Sequence, residues 1–418
     1  MLELISNRKL NNRLLFFGLK IVSLRLLRLR ILIEVGTRPE IINTSSLIRA
    51  IQRSKHSLIY LHTGQHYDFE LSKQFIQDLQ LPKPQYEFDF KSKSHAEQTG
   101  QILIFVENAL LESKPDLVVV QGDTNSTLAT ALAAVKLQIP VAHIEAGNRS
   151  YDRQRPEEIN RVIIDHISQV LFAQSRVTET NLIREGIAQE QIFVVGHPVV
   201  DACLQNLKLA SSRRTLESLK IECPYVVVTA HRAENVDDQN RMNILLNLLA
   251  YGNSKGYTMV FPVHPRTRKR LKEFGLLSKI EEISRLIPPQ GYLDFLQLLN
   301  NCEMVITDSG GIQKEVATLR KPCLYFHNST GAWEGLNTFL FLGGYQIDKL
   351  KVLMDRLLED SDLRNKIQVT PNPYGDGSTG QQILTQLEKL YKEGNLRSRT
   401  FQTLTAFETL LEEKKNTG

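Results

Sequence analysis

Short apolar runs rich in β-branched residues alternate with helix-like patterns from Arg30 onward. This alternation is typical of parallel βαβ units. A helical, charged stretch around residues 201–220 divides the runs into two sets. The predicted strands are 31–35, 58–63, 116–121, 140–145, 170–174 and 192–196 in the first set, and 225–231, 259–264, 304–308 and 323–326 in the second. A chain of 418 residues suits two domains of about 150–200 residues. We therefore predict an α/β protein with two consecutive doubly wound parallel-sheet domains, at 30–202 and 203–371.

The positive charge of the chain comes from its N-terminus. Residues 1–30 contain seven basic residues against Glu3, whereas the rest contains 44 basic and 45 acidic residues. The net charge of +5 therefore does not indicate nucleic-acid binding by the main body. We interpret residues 1–29 as a poorly ordered extension, which an early start codon would explain. The alternative is a basic amphipathic helix in weak contact with an anionic membrane surface.

The cysteines give no indication of a metal site or a disulfide framework. Cys203, Cys223, Cys302 and Cys323 lack metal-ligand spacing, so we expect reduced thiols and a cytoplasmic location. No run approaches the about 20 apolar residues of a membrane span, and no secretory signal is expected. No G-x-G-x-x-G follows the first strand, so a conventional dinucleotide cofactor is not predicted.

Charged and imidazole side chains follow nearly every predicted strand. Because ligands of open parallel sheets bind at the carboxyl ends of strands, this pattern predicts a cleft shared by the two domains. Asp123, Glu145 and Glu157 are candidates for general acid and base chemistry. The alternative for Glu157 is a capping role, since acidic residues are favoured at helix starts.

The segment 155–167 has the pattern of a well-marked helix. Pro156 suits its first turn, and four apolar residues recur at helical spacing. We expect one buried stripe formed by Ile159, Val162, Ile163 and Ile167.

The second domain combines a candidate anion site with two histidines. Ser309, Gly310 and Gly311 precede a predicted helix, where backbone N–H groups bind phosphate. Glu315 lies one turn into this helix, within reach of a ligand hydroxyl or facing solvent. His231 and His264 follow successive strands. Two classes of function fit these residues: an enzyme that breaks a sugar–pyrophosphate bond by proton transfer, or a glycosyltransferase or noncatalytic nucleotide-sugar binder.

Ten ordered segments resemble the non-hydrolysing UDP-N-acetylglucosamine 2-epimerase family, from about Ile31 to Leu390. They are GTRPE (36–40), TGQH (63–66), QGDTNSTLA (121–129), HIEAGNRS (143–150), RPEEINR (155–161), TAHRAEN (229–235), PVHPRT (262–267), GYLDF (291–295), TDSGGIQKE (307–315) and NPYGDG (372–377).

The resemblance implies two Rossmann-like domains of the glycosyltransferase-B type, as a homodimer, with residues 372–395 crossing back to the first domain and a tail at 396–418. It implies inversion at C2 of UDP-GlcNAc to give UDP-ManNAc, through anti elimination of UDP to a glycal and readdition. This early step toward surface polysaccharides would use no metal and no redox cofactor.

The resemblance also assigns individual residues. Asp123, Glu145, Glu157 and His231 match catalytic positions. The remaining assignments are Arg38 and His264 in the nucleotide-sugar site, Gln290 and Phe295 near the uracil, Ser309, Gly310, Gly311 and Glu315 at the diphosphate and ribose, and Gln65 and His66 at a second, activating site.

Two positions depart from the family pattern. Asn43 and Ala332 stand where the family usually has lysine and arginine, and each change removes a cation whose charge-assisted hydrogen bonds would be worth about 1.5–3 kcal/mol. The segments QKE (313–315) and GYLDF (291–295), with Trp333 nearby, resemble the family branch acting on UDP-linked diacetamido uronic acids or deoxy amino sugars, which is the alternative. The loss of two cations argues against the uronic acid. His327 or Arg149 is a candidate replacement cation.

Overall fold

The computed structural model describes residues 28–64, 69–88 and 94–396, with the backbone alone at 69–72. Predictions for Gln65 and His66, and nearly all of those for 1–29 and 396–418, lie outside these ranges.

The chain divides into two compact units. Unit 1 runs to Phe69, resumes over Pro82–Val194 and includes the chain from Gln381, whereas unit 2 comprises Glu70–Leu81 and Val195–Gly380. The domain boundaries at 30–202 and 203–371 remain predictions, and so does the cleft shared by the two domains.

Unit 1 contains a seven-stranded, all-parallel sheet in the order β3-β2-β1-β4-β5-β6-β7. Its strands are β1 Arg30–Val35, β2 Ser57–His62, β3 Tyr86–Glu87, β4 Leu117–Gln121, β5 Val141–Ala146, β6 Val170–Ala173 and β7 Ile192–Val194. The first helices are α1 Arg38–Gln52, α2 Phe69–Asp78, α3 His95–Ser113, α4 Asn125–Lys136, α5 Pro156–Ile167 and α6 Arg176–Arg184, with α2 falling mostly in unit 2. The strand order reverses between β1 and β4. Ligands of such sheets ordinarily bind at the carboxyl ends of the strands at this point.

Unit 2 contains a six-stranded parallel sheet in the order β10-β9-β8-β11-β12-β13. Its strands are β8 Tyr225–Thr229, β9 Thr258–Pro262, β10 Arg285–Ile287, β11 Met304–Thr307, β12 Cys323–Tyr325 and β13 Leu340–Leu342. The remaining helices are α7 Pro198–Ser211, α8 Thr215–Ser218, α9 Ala233–Val236, α10 Gln239–Ser254, α11 Pro265–Glu273, α12 Leu277–Ile283, α13 Tyr292–Asn301, α14 Ile312–Thr318, α15 Ile347–Glu359, α16 Ser361–Val369 and α17 Thr379–Lys392, the last assigned mainly to unit 1.

The local sequence explains where the helices near the strand ends begin. Thr124 caps α4 by accepting the N–H of Thr127 at 3.2 Å, and Pro156 opens α5, where its missing N–H costs nothing. Strands β4 and β8 are buried along their whole lengths, as expected for parallel strands covered on both faces. These two central strands carry Asp123 and His231 just beyond their carboxyl ends.

The prediction of two doubly wound parallel-sheet domains is confirmed, and all ten predicted strands are present within a few residues. The sequence analysis missed β3, β10 and β13, which have two or three residues each. Runs this short carry too little periodicity to stand out. No helix in the described ranges is both long and apolar enough to cross a bilayer.

The predicted buried stripe of α5 is wrong. Ile159 is 48% exposed and Ile163 is 39% exposed. The buried residues of this helix are Glu158, Asn160, Ile164 and Asp165. Polar residues take the buried face because they bind the loops that carry the candidate carboxylates.

Candidate active site

Three candidate carboxylates lie close together in unit 1. Asp123 follows β4, Glu145 lies near the end of β5, and Glu157 lies in the first turn of α5. Burial raises the pKa of Asp123, and the charges of Glu145 and Glu157 raise it further, against the opposing effect of Arg161. Asp123 therefore lies within electrostatic range of both Glu145 and Glu157.

Arg161 is the cation of this group, and the sequence analysis did not single it out. Its Nε donates to Asp123 Oδ2 at 2.7 Å, and its Nη1 donates to Glu158 Oε2 at 2.9 Å. Asn160 adds a bond from its amide to the Asp123 carbonyl at 2.9 Å. One helix thus holds both the side chain and the backbone of Asp123.

Glu145 adopts an unusual backbone conformation. Its φ is +74°, and the pairing of β5 with β6 shifts register between Ile144 and Ala146. The carboxylate accepts hydrogen bonds from Gln121 at 2.5 Å and Asn148 at 3.0 Å. Such a conformation costs about 1–3 kcal/mol, so the surrounding contacts must maintain it.

The two adjacent acidic residues at the start of α5 have different environments. Glu158 is buried and accepts the backbone N–H groups of Ser150 and Tyr151, both at 2.9 Å. Burial alone would raise its pKa, but these bonds and Arg161 lower it. Glu157 is exposed. Glu158 therefore binds the backbone of the loop, and Glu157 is the residue of the pair that a ligand can reach.

His231 in unit 2 is placed by a buried aspartate that the sequence analysis left unassigned. Asp308 is fully buried and accepts the backbone N–H groups of His231 at 3.1 Å and Arg232 at 3.0 Å. Its Oδ1 lies 3.5 Å from His231 Nδ1. Asn235 donates to the same carboxylate at 3.1 Å. Asp308 therefore orients both the turn and the imidazole that follow β8.

His264 lies beside His231, with ring centroids 6.1 Å apart. Its Nδ1 accepts the N–H of Arg266 at 3.2 Å, which caps α11. Partial burial, and then the neighbouring His231 and Arg266, lower its pKa. His264 is therefore neutral at physiological pH.

The turn Ser309–Gly311 precedes α14, as predicted. The Ser309 N–H donates to Thr307 Oγ1 at 2.9 Å, so this amide is occupied, contrary to the expectation that all three would be available. A Cβ placed on Gly310 would lie 3.5 Å from Arg232 Nη2. A guanidinium therefore lies beside the turn and adds positive charge where a diphosphate is expected.

Glu315 is buried in α14 rather than facing solvent. Burial raises its pKa from about 4.5 to about 7. A buried carboxylate has lost its hydrogen bonds to water, so hydrogen bonds from ligand hydroxyls would stabilise it. Gln290 and Phe295, in the same unit, are half-buried, with Phe295 packed against the core.

The two departures from the family pattern have different local settings. Asn43 is buried in α1, whereas Arg38 in the same helix is exposed. Ala332 is buried in a loop where Thr330 Oγ1 donates to Gln313 at 2.6 Å. Neither position supplies a positive charge.

The two proposed replacement cations have other partners. Arg149 is buried and paired with Asp165 at 2.8 Å and Glu185 at 2.6 Å, so it is not a replacement. His327 Nε2 lies 2.9 Å from Glu234 Oε1.

No group of three or more His, Cys, Asp or Glu side chains with metal-binding geometry occurs in the described parts of the chain. Cys203, Cys302 and Cys323 are buried thiols, and Cys223 is an exposed one.

Comparison with known proteins identifies the family of the chain. The profile of the family described as UDP-N-acetylglucosamine 2-epimerase matches residues 49–388. The chain belongs to the UDP-N-acetylglucosamine 2-epimerase family. A family member from Methanocaldococcus jannaschii, named UDP-N-acetylglucosamine 2-epimerase, is 44% identical over 85% of this chain and 98% of its own length. A Pseudomonas aeruginosa relative named UDP-2,3-diacetamido-2,3-dideoxy-D-glucuronate 2-epimerase is 38% identical over 87% of this chain and 100% of its own.

Solved structures of family members have the same fold. The M. jannaschii UDP-GlcNAc 2-epimerase in complex with UDP-GlcNAc and UDP is 42% identical, with a TM-score of 0.74 over 86% of this chain and 99% of that one. The Neisseria meningitidis enzyme bound to UDP-GlcNAc is 30% identical, with a TM-score of 0.76 over 86% and 100% of the two chains.

Proposed function

We propose that this protein inverts C2 of UDP-N-acetylglucosamine to give UDP-N-acetylmannosamine. The observation that carries the proposal is the group Asp123, Glu145 and Glu157, found in a member of the epimerase family. A binding protein for nucleotide sugars has no need of three mutually interacting carboxylates, whereas proton removal and return at C2 requires acid and base groups.

The proposed chemistry is anti elimination of UDP followed by readdition. Loss of the C2 proton and cleavage of the C1–O bond give a glycal and UDP; protonation of C2 on the opposite face and return of UDP to C1 complete the inversion. Asp123, whose pKa burial raises, is assigned to proton transfer at C2. His231, held by Asp308, is assigned to act on UDP as the leaving group.

The same proposal assigns the nucleotide to unit 2. Gly310, Gly311 and Ser309 contact the diphosphate, with Arg232 beside the turn. Glu315 accepts the ribose hydroxyls, and Gln290 and Phe295 contact the uracil. Arg38 and His264 complete the nucleotide-sugar site. No metal or redox cofactor takes part in these steps.

Further parts of the proposal concern the setting of the reaction. The enzyme acts as a cytoplasmic homodimer at an early step of polysaccharide biosynthesis. Gln65 and His66 belong to a second site at which the substrate activates the enzyme.

Isotope exchange tests the reaction directly. Purified protein incubated with UDP-GlcNAc in deuterium oxide should incorporate deuterium at C2, form UDP-ManNAc and release traces of UDP. Proton NMR follows all three. Absence of exchange by folded protein would rule out UDP-GlcNAc as substrate.

Two aspartates at opposite ends of β4 provide a matched pair of variants. Asp123→Asn should abolish exchange while leaving UDP binding measurable by calorimetry. Asp116, exposed just before the same strand, accepts the Arg30 N–H at 2.8 Å, and Asp116→Asn should retain turnover. Full turnover by Asp123→Asn would refute the acid–base assignment.

A second candidate substrate is a UDP-linked diacetamido uronic acid or deoxy amino sugar. The P. aeruginosa relative favours this alternative, whereas the neutral residues Asn43 and Ala332 argue against a sugar that carries an additional carboxylate. A panel of UDP-sugars assayed for C2 exchange distinguishes the two, because the preferred substrate should show the largest kcat/KM.

A further inference from the structure

A buried group of four charged side chains lies beneath the carboxylates of unit 1. His143 and Arg149 each have 1% of their side chain exposed, Asp165 has none, and Glu185 has 25%. Removing four such groups from water costs free energy, and hydrophobic residues of similar volume would often give a fold of equal stability. Stability alone therefore does not account for this group.

His143 connects the strand ends that carry two of the proposed catalytic residues. It lies in β5, two residues before Glu145, and its Nε2 lies 2.8 Å from the carbonyl oxygen of Gly122, which precedes Asp123. Its Nδ1 lies 2.7 Å from Asp165 Oδ1. One imidazole thus bridges the end of β4 and the end of β5.

Both ring nitrogens of His143 have partners that hold the ring in place. The Gly122 carbonyl only accepts hydrogen bonds. Burial would raise the pKa of Asp165, but His143 and Arg149 outweigh burial and lower it, so Asp165 is an ionised acceptor. Each ring nitrogen therefore lies at hydrogen-bonding distance from an acceptor, one just after β4 and one in α5.

Asp165 extends the bridge to the other side of Glu145. Its Oδ2 accepts the N–H of Gly147 at 3.1 Å and lies 2.8 Å from Arg149 Nη2. The backbone at Glu145 is therefore held two residues before and two residues after its unusual φ of +74°.

We propose that His143, buried and held by Asp165, is a positioning residue that sets the separation of Asp123 and Glu145. This inference rests on the proposed function. Its alternative is a purely structural role, in which the group adds stability to unit 1 without affecting the placement of the carboxylates.

The decisive variant is His143→Gln, which retains a hydrogen-bond donor but removes the ring that reaches both partners. Because a displacement of about 1 Å costs about 100-fold in rate, we expect kcat for C2 exchange to fall about 100-fold while KM for UDP-GlcNAc stays within about threefold of wild type. Asp165→Asn should likewise lower kcat while KM stays close to that of wild type.

His56 provides the matched control. It is also buried, accepts the Leu29 N–H at 3.0 Å and lies 2.7 Å from Glu388, yet it contacts neither strand end. His56→Gln should lower the melting temperature without lowering kcat. If His143→Gln loses stability to the same extent and keeps its kcat, the positioning role is refuted.

The failure of the inference and the failure of the proposed function give different results. If a UDP-sugar of the panel undergoes exchange and His143→Gln keeps the wild-type kcat, the positioning role alone fails. If no UDP-sugar of the panel undergoes exchange with wild type, the proposed function fails and the positioning role fails with it.

Discussion

Glu315 in α14 provides a quantitative test because its burial has a calculable energetic consequence. Burial raises the pKa of this carboxyl to about 7, from about 4.5 in water. Since one pKa unit corresponds to about 1.4 kcal/mol, keeping Glu315 ionised in the folded state costs about 3 kcal/mol.

The sign of the pH dependence follows from the direction of this change. A carboxyl whose pKa is higher in the folded state stabilises the fold fully below about pH 4.5, and this stability is lost as the pH rises through about 7. Glu315→Gln cannot ionise, so we expect the variant to exceed wild type by up to about 3 kcal/mol at pH 8 and by little at pH 5.

Fluorescence of Trp333 provides the assay. It is the only tryptophan in the sequence and lies in unit 2, as Glu315 does. Urea unfolding at pH 5, 6.5 and 8 should show the two proteins diverging as the pH rises. Glu282→Gln removes an exposed carboxylate from the same unit and controls for the loss of one charge.

Ligand binding adds a second observable. If ribose hydroxyls donate to Glu315, UDP binding should favour its ionised form, and wild type should release more protons than Glu315→Gln at pH 6.5. Calorimetry in buffers of different ionisation enthalpy measures this difference, and the titration of UDP itself cancels. Parallel stability curves from pH 5 to 8 would refute the burial argument, and equal proton release would refute the ribose contact.

Three further substitutions test other parts of the structure. Asp308→Asn should reduce C2 exchange at least about tenfold, since it weakens the contacts that orient His231, and unchanged exchange would remove Asp308 from the site. Gly147→Ala should destabilise unit 1 by more than about 2 kcal/mol, because φ is +80° and the new methyl would overlap the Thr178 carbonyl oxygen; a melting temperature equal to wild type would contradict this. Burial, and then Glu40, raise the pKa of Glu34 well above its ordinary value. The contribution of Glu34 to the stability of the fold therefore falls as the pH rises, so Glu34→Gln should raise the melting temperature at pH 8 more than at pH 5. The same increase at both values would contradict it.

The sequence predicted the sheets well because long buried strands carry a strong local signal. All ten expected strands exist, with Asp123 just beyond the end of β4 and Glu145 near the end of β5. The exposed apolar residues of α5 show the limit of such patterns. Helical spacing identified a stripe, but only the fold reveals that Glu158, Asn160 and Asp165 occupy the buried face.

The residues that hold the site were harder to predict than the candidate catalytic residues. His143, Arg161 and Asp308 all occur in motifs that the sequence analysis singled out. Their partners are 22, 38 and 77 residues away along the chain. Pairings across such separations leave no periodic signal in one sequence, so they emerge only from the folded arrangement.

The four charged side chains beneath Glu145 also constrain how this protein can evolve. His143 and Arg149 face Asp165 and Glu185 in the described structure. Replacing one member leaves its buried partner without compensation, at a cost of about 3–5 kcal/mol. Viable change here must come through paired substitutions, so the group acts as an epistatic block.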